Sequence, residues 1–115
     1  MNERAQTAII IAAYNAETTL ARAVRSALAE PETAEICIVD DASTDGTLML
    51  ARTLAAEDAR VQVIAMAQNG GPSIARNAAL AATRAPWLTI LDADDYLLPG
   101  RLAALHDLAS EADFV

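Results

Sequence analysis

No lysine occurs in this chain: its eight basic residues are all arginine, set against sixteen acidic ones in 115 residues. That absence removes two kinds of aspartate chemistry. A phospho-receiver domain and a haloacid-dehalogenase-type phosphatase both gather aspartates at strand ends of an open α/β sheet, and both need a lysine beside the phosphoryl group. For the phosphatase a second residue is wrong, since Tyr96 stands where a small hydroxyl side chain belongs. Glycine is scarce, and no Gly-x-Gly-x-x-Gly follows the first apolar run, which argues against dinucleotide binding. A net charge of −8 argues against a nucleic-acid surface. Cys37 is the one cysteine, so no internal disulfide forms and a reducing, cytoplasmic setting is the default expectation. No apolar run reaches membrane-spanning length, and no charged segment followed by a long apolar stretch opens the chain. Aromatic residues make up 3% against 54% hydrophobic residues overall, so the core must be aliphatic. The length suits a single domain over residues 1–115, small for a complete two-substrate enzyme.

What is present alternates two kinds of segment. Thr7 to Ala13 is a continuous apolar run, read as a strand buried on both faces. Asn15 or Thr18 is placed to cap a helix carrying Leu20, Val24, Ala27 and Leu28 on one face. A second strand follows at Glu35 to Asp40, then a helix from about Thr47 to Glu57 with Leu48, Ala51 and Ala55 aligned. Val61 to Met66 is a third strand. Asn69-Gly70-Gly71-Pro72 is a tight loop with proline at a first helical position, opening a helix to about Thr83. Trp87 to Leu91 reads as a fourth buried strand, Pro99 to Ser110 as a fourth helix, and Ala112 to Val115 as the start of another strand. The strand markers Ile9, Ile36, Val61 and Leu88 recur every 25–27 residues. This is the rhythm of consecutive βαβ units, which make an open, mostly parallel, Rossmann-like α/β sheet with helices on both faces.

Parallel strands place all their carboxyl ends on one edge, where open α/β sheets bind ligands. On that edge the sequence collects Tyr14-Asn15, Asp40-Asp41, Asn69-Gly70-Gly71 and Asp92-Ala93-Asp94-Asp95. Carboxylates this close repel by roughly 1 kcal/mol per pair in water and about 4 kcal/mol at an effective dielectric of 20. Such a group stays solvated, takes up a proton or meets a cation. Asp-x-Asp at a strand's carboxyl end suits a hard divalent metal, with the neighbouring carboxylate free to accept a hydroxyl. The ordinary alternative is an acidic turn between strand and helix. It explains one cluster and leaves the second, on the same edge, unexplained.

Four stretches together resemble the amino-terminal half of a family 2 glycosyltransferase of the GT-A fold, similar to bacterial enzymes of exopolysaccharide and cell-surface polysaccharide synthesis. They are Ile9 to Asn15, Ile38 to Thr47, Asn69 to Asn77, and Leu91 to Asp95 followed by Pro99-Gly100-Arg101-Leu102. Order, spacing and strand-end placement agree over nearly the whole chain. Ala12 departs from the family, which more often has proline there, and such enzymes continue into an acceptor-binding half. The resemblance implies a nucleotide-sugar site, with a UDP-linked donor expected, formed by Ala13, Tyr14, Asn15, Asp40, Asp41, Asn69, Gly70, Arg76, Asp92, Ala93 and Asp94. Asp40 matches the aspartate that reads the base, and Asp41 is expected beside it, holding the Ser43-Thr44-Asp45 turn. Asp45 is expected to cap the second helix. Arg76 matches an arginine whose planar fork suits a base carbonyl or a diphosphate oxygen. Asp92 would contact the ribose and Asp94 a divalent cation, Mn²⁺ or Mg²⁺, with Asp92 or Asp95 as further metal candidates.

The implied reaction is inverting transfer to a saccharide or lipid-linked acceptor. Its general base is expected beyond Val115, so no residue here is assigned as catalytic. The expectation is a donor-binding half that does not itself transfer sugar. It leaves open a homodimer and a place at the inner face of the membrane. The competing class is a nucleotide-binding module without transfer activity. Other singled-out residues read as structural: Cys37 as a small buried hydrophobe, Met49 and Met66 as core or near-core fillers, Trp87 as packing, and His106 as a helix-surface side chain.

Overall fold

A computed structural model describes residues 5–112, with side chains to residue 107. Eight elements alternate in the expected order: β1 (Thr7–Ala13), α1 (Leu20–Leu28), β2 (Thr33–Asp40), α2 (Thr47–Glu57), β3 (Val61–Ala65), α3 (Pro72–Ala82), β4 (Trp87–Ile90) and α4 (Arg101–Ala112). The four strands form one sheet in the order β3-β2-β1-β4, and every neighbouring pair is parallel. The chain therefore builds outward from β1 through β2 to β3, then returns to the far side of β1. That reversal puts α3 on the opposite face from α1 and α2.

The strand residues divide accordingly. Ile9, Ile11 and Ala13 of β1 and Ile36 and Ile38 of β2 join Leu20, Val24, Ala51, Leu54 and Leu102 in the larger core, beneath α1, α2 and α4. Ile10, Cys37 and Val39 face the other way, against Ala75 and Ala79 of α3. β1 and β2 are thus covered on both faces, as a period-free apolar run requires. Fully burying one such aliphatic side chain is worth about 1.5–3 kcal/mol. Burial pushes the Cys37 thiol up to about 11, with Glu35 adding to the effect.

Several expectations need correction. The fourth strand is an edge: Trp87, Leu88 and Ile90 are exposed, because β4 has β1 on one side and no strand on the other among the described residues. Neither Asn15 nor Thr18 caps α1; the helix starts after Thr19 without a side-chain cap, and the Asn15 side chain is spent on the Thr44 amide of the loop after β2. The buried face of α2 is Thr47, Ala51 and Leu54 rather than a row through Leu48. Met49 is 76% exposed and fills no core. His106 is half-buried, not a surface residue: Thr7 Oγ1 lies 2.6 Å from its Nε2 and its ring stacks on Trp87 at 4.9 Å. Ala112 ends α4, and the remainder of the strand expected over 112–115 lies outside the described residues.

Candidate functional site

In the order 3-2-1-4 the winding direction reverses between β1 and β4. At such a switch point neighbouring loops leave toward opposite faces and open a crevice at the carboxyl ends. A cleft of about 640 Å³ lies there, between the ends of β1 and β4, and reaches under the start of α3. That size suits a drug-sized or cofactor-sized ligand.

Each strand end supplies one wall. Beyond β1, Ala13, Tyr14 and Asn15 line the cleft. Asn15 takes a positive φ of 49°, which asparagine tolerates better than most residues. Its Oδ1 accepts the Thr44 amide at 2.8 Å, and its own amide donates to Ser43 Oγ at 2.9 Å. The first and second loops are laced further by Ala16 donating to Thr47 Oγ1, Gly46 donating to Glu17 Oε2, and Glu17 donating to Asp45 Oδ2. The N-cap of α2 is Gly46, without a side-chain cap, and Asp45, expected to cap the helix, stands one residue earlier, where its Oδ1 accepts the Thr47 amide at 3.0 Å. The Thr47 hydroxyl holds the Asp45 carboxyl below its ordinary value.

The two aspartates after β2 part company. Successive strand side chains point to opposite faces, and Asp40 turns to the side of the larger core, where it is 2% exposed. It is Asp40 Oδ2 that accepts the Ser43 amide of the Ser-Thr-Asp turn, at 3.3 Å, while Oδ1 has no partner. Asp41, expected to hold that turn, instead spans to the third loop. Its two oxygens accept the Gly70 and Gly71 amides at 2.9 and 3.0 Å, and it lines the cleft where Asp40 does not. Gly70 serves as backbone tether and does not line the cleft; Asn69 and Gly71 do. Gly71 has φ of 88°, a left-handed bend that L side chains resist, and Pro72 then starts α3.

Arg76, one turn into α3, is the one cation on the cleft wall among the described residues. Its guanidinium lies 3.8 Å from Asp92 Oδ1, and its buried Nε has no partner. At the end of β4, Ala93 is buried in the core while Asp92 and Asp94 are exposed on either side of it. All three lie in the turn just past β4 and line the cleft wall. Asp95 does not line it; its Oδ1 accepts the Tyr96 amide at 2.8 Å. Three carboxylates face one guanidinium, so the wall is acidic. No group of three or more histidine, cysteine, aspartate or glutamate side chains forms a ready-made metal cage among the described residues. The residues assigned to the site from sequence left out Ala12, Ala16, Thr18 and Thr19 beside β1 and Gly71, Pro72, Ile90 and Leu91 elsewhere on the wall. Gly71, Pro72 and Leu91 lie inside stretches already singled out, without a ligand role of their own; Ala12, Ala16 and Ile90 carry no polar signal.

A parallel sheet with helices on both faces and a cleft at its switch point defines an open α/β ligand-binding domain of the Rossmann-like class. Residues 8–115 match the model of glycosyl transferase family 2, and the chain belongs to that family. It is 50% identical over 97 residues to the succinoglycan biosynthesis protein ExoU of Rhizobium meliloti, covering 84% of this chain and 28% of that protein. It is 35% identical over 108 residues to the Escherichia coli UDP-Glc:alpha-D-GlcNAc-diphosphoundecaprenol beta-1,3-glucosyltransferase WfaP, covering 92% of this chain and 42% of that one. Among solved structures, Staphylococcus aureus TarS 1–349 in complex with UDP-GlcNAc superposes with a TM-score of 0.81 at 26% identity, over 92% of this chain and 31% of TarS. The chain thus spans under half the length of each of these relatives.

Proposed function

We propose that this chain forms the donor-binding part of an inverting glycosyltransferase of polysaccharide synthesis, with a UDP-linked sugar as donor and a saccharide or lipid-linked acceptor. The observation that carries the reading is the convergence of Asp41, Arg76, Asp92 and Asp94 on one cleft at the switch point. The UDP-GlcNAc complex of TarS and the names of ExoU and WfaP support it.

The base end of the nucleotide belongs beside Asp41. Of the two aspartates after β2 only Asp41 lies on the cleft, so the role expected of Asp40 passes to its neighbour. A carboxylate has about four lone-pair sites, so Asp41 keeps capacity for a base N–H after binding Gly70 and Gly71. Arg76 and the start of α3 lie where they can attract a diphosphate. One guanidinium against three carboxylates leaves the wall repulsive to an anion, and a divalent cation resolves the conflict. Asp94 and Asp92 would hold Mn²⁺ or Mg²⁺; two carboxylates plus substrate phosphates are what Mg²⁺ commonly uses, so the missing third side chain fits. The ion supplies Lewis-acid stabilisation of the departing nucleoside diphosphate. The acceptor's general base and wall lie in the rest of the enzyme, on the cytoplasmic side of the membrane that carries lipid-linked acceptors. No helix of the described residues is long and apolar enough to cross a membrane.

Titration calorimetry with UDP tests the reading. Binding is expected with Mn²⁺ or Mg²⁺, and EDTA or Asp94→Ala should weaken it by about tenfold or more. Equal affinity with and without EDTA overturns the metal role, and no binding under any condition overturns the donor reading.

A further inference from the structure

The segment from Leu91 to Gly100 carries both cleft carboxylates yet contains no helix or strand. Its placement must come from contacts to other elements. Leu91 is tied by its amide to the Ile10 carbonyl at the end of β4 pairing; beyond it, besides Arg76 of α3 near Asp92 and Ala93 in the core, the side-chain ties from other elements come from α1 and the turn after it. Arg22 donates from its terminal nitrogen to the Asp94 carbonyl at 3.2 Å, and its guanidinium lies over the Tyr96 ring, 4.7 Å from the centroid. Ser26 Oγ accepts the Leu97 amide at 2.8 Å. Glu30, 4% exposed, accepts the Gly100 amide on one oxygen and the Leu102 amide on the other, both at 3.3 Å.

Arg22, Ser26 and Glu30 are spaced four apart, which on a helix is one row of side chains. Arg22 and Ser26 lie on α1 and Glu30 follows in the turn just past it. The row is matched in sequence to the segment it holds: each step of four along α1 meets the chain three to five residues further from Asp94. Glu30 also sets a negative charge at the positive end of α4, which fixes where the segment stops. None of the three lines the cleft.

We infer that Arg22, Ser26 and Glu30 are positioning residues that hold the Asp92–Asp94 carboxylates in metal- and diphosphate-binding register. The inference rests on the donor reading above. It assigns to α1, which is otherwise a packing helix, control over the phosphate end of the site but not over the base end, which Asp41 and the β2 loop form.

The test uses the chain with the double variant Arg22→Ala/Ser26→Ala, and Arg22→Lys/Ser26→Thr as the conservative pair, which keeps a donor and an acceptor. Two readouts are made: amide hydrogen exchange without ligand, and calorimetry with Mn²⁺–UDP and with uridine. In the alanine variant, exchange of the amides from Asp94 to Gly100 should quicken about tenfold while β1 and β2 amides keep their protection. Affinity for Mn²⁺–UDP should fall about tenfold, uridine affinity should stay within about twofold, and the conservative pair should recover most of the loss. Unchanged exchange in the segment overturns the inference, as does a freed segment with unchanged Mn²⁺–UDP affinity, or a parallel loss of uridine binding. If the parent chain binds no UDP, the donor reading fails and takes the positioning role with it. The exchange data then still show whether the row holds the segment.

Discussion

The adjacent carboxylates at the end of β2 face opposite sides of the sheet, so two substitutions separate cleft chemistry from loop support. Asp41→Asn replaces one of two acceptors with a donor facing the Gly70 or Gly71 amide. It should weaken UDP by about ten- to a hundredfold, the cost of roughly 1.5–3 kcal/mol for a hydrogen bond to a charged group. Asp40→Asn keeps an acceptor for the Ser43 amide and touches no cleft surface, so its UDP affinity should stay within about twofold of the parent. Calorimetry on both variants decides, and the reverse order would return base reading to Asp40. The pair also shows what a motif hides. Asp40-Asp41 announces a site, but which aspartate faces it depends on the face that Ile36 and Ile38 choose, and that is fixed by the helices they meet.

At the scale of elements, β4 is the piece whose environment differs most from its composition. Its open side shows Leu88 at 48% exposure and no strand beyond it among the described residues. Bare strand edges with apolar side chains recruit other edges. The chain should therefore self-associate as concentration rises, and Leu88→Lys should return it to monomer; sedimentation velocity on both measures the shift. Ile90 is left intact in that design because it lines the cleft. Most element bounds were legible in the sequence, because an apolar run such as Thr7–Ala13 and punctuation such as Asn69-Gly70-Gly71-Pro72 are local signals. What was not legible depends on neighbours distant in sequence. Trp87-Leu88-Thr89-Ile90 reads as interior by hydropathy alone, since no local feature reveals that only one side is paired. His106 reads as a surface residue until Thr7 and Trp87 are brought beneath it. The cleft edge was foreseeable from βαβ rhythm, whereas the tie from Asp41 to Gly70 and Gly71 needed the third loop in place.

For the molecule as a whole, acid is a lever. Asp45 and Asp58 are both held below the ordinary aspartate value of 3.8, the first chiefly by the Thr47 hydroxyl and the second chiefly by the Arg60 guanidinium. With native values depressed, the unfolded chain binds more protons in that range. Their stabilisation is full above the unfolded value and drains away as pH falls through the lower native ones. The urea midpoint of the parent minus that of Asp45→Asn/Asp58→Asn should be constant between about pH 7 and 5 and shrink below about pH 4. A gap that persists at pH 2 would mean these carboxylates do not act through ionisation. The strand order has a kinetic consequence as well. β1 and β4 adjoin in space but are the two strands furthest apart along the chain, with register partners such as Ile10 and Ile90. Closing that long loop is entropically costly, and contacts of high sequence separation form slowly. On ribosome exit β1, β2 and β3 are available to pair long before Trp87 emerges, so the cleft between β1 and β4 forms only after the first three strands are at hand. On the proposed donor reading, a nucleotide cannot template the first three strands; it meets only chains in which β4 has already docked on β1, and acts as a latch on that pairing.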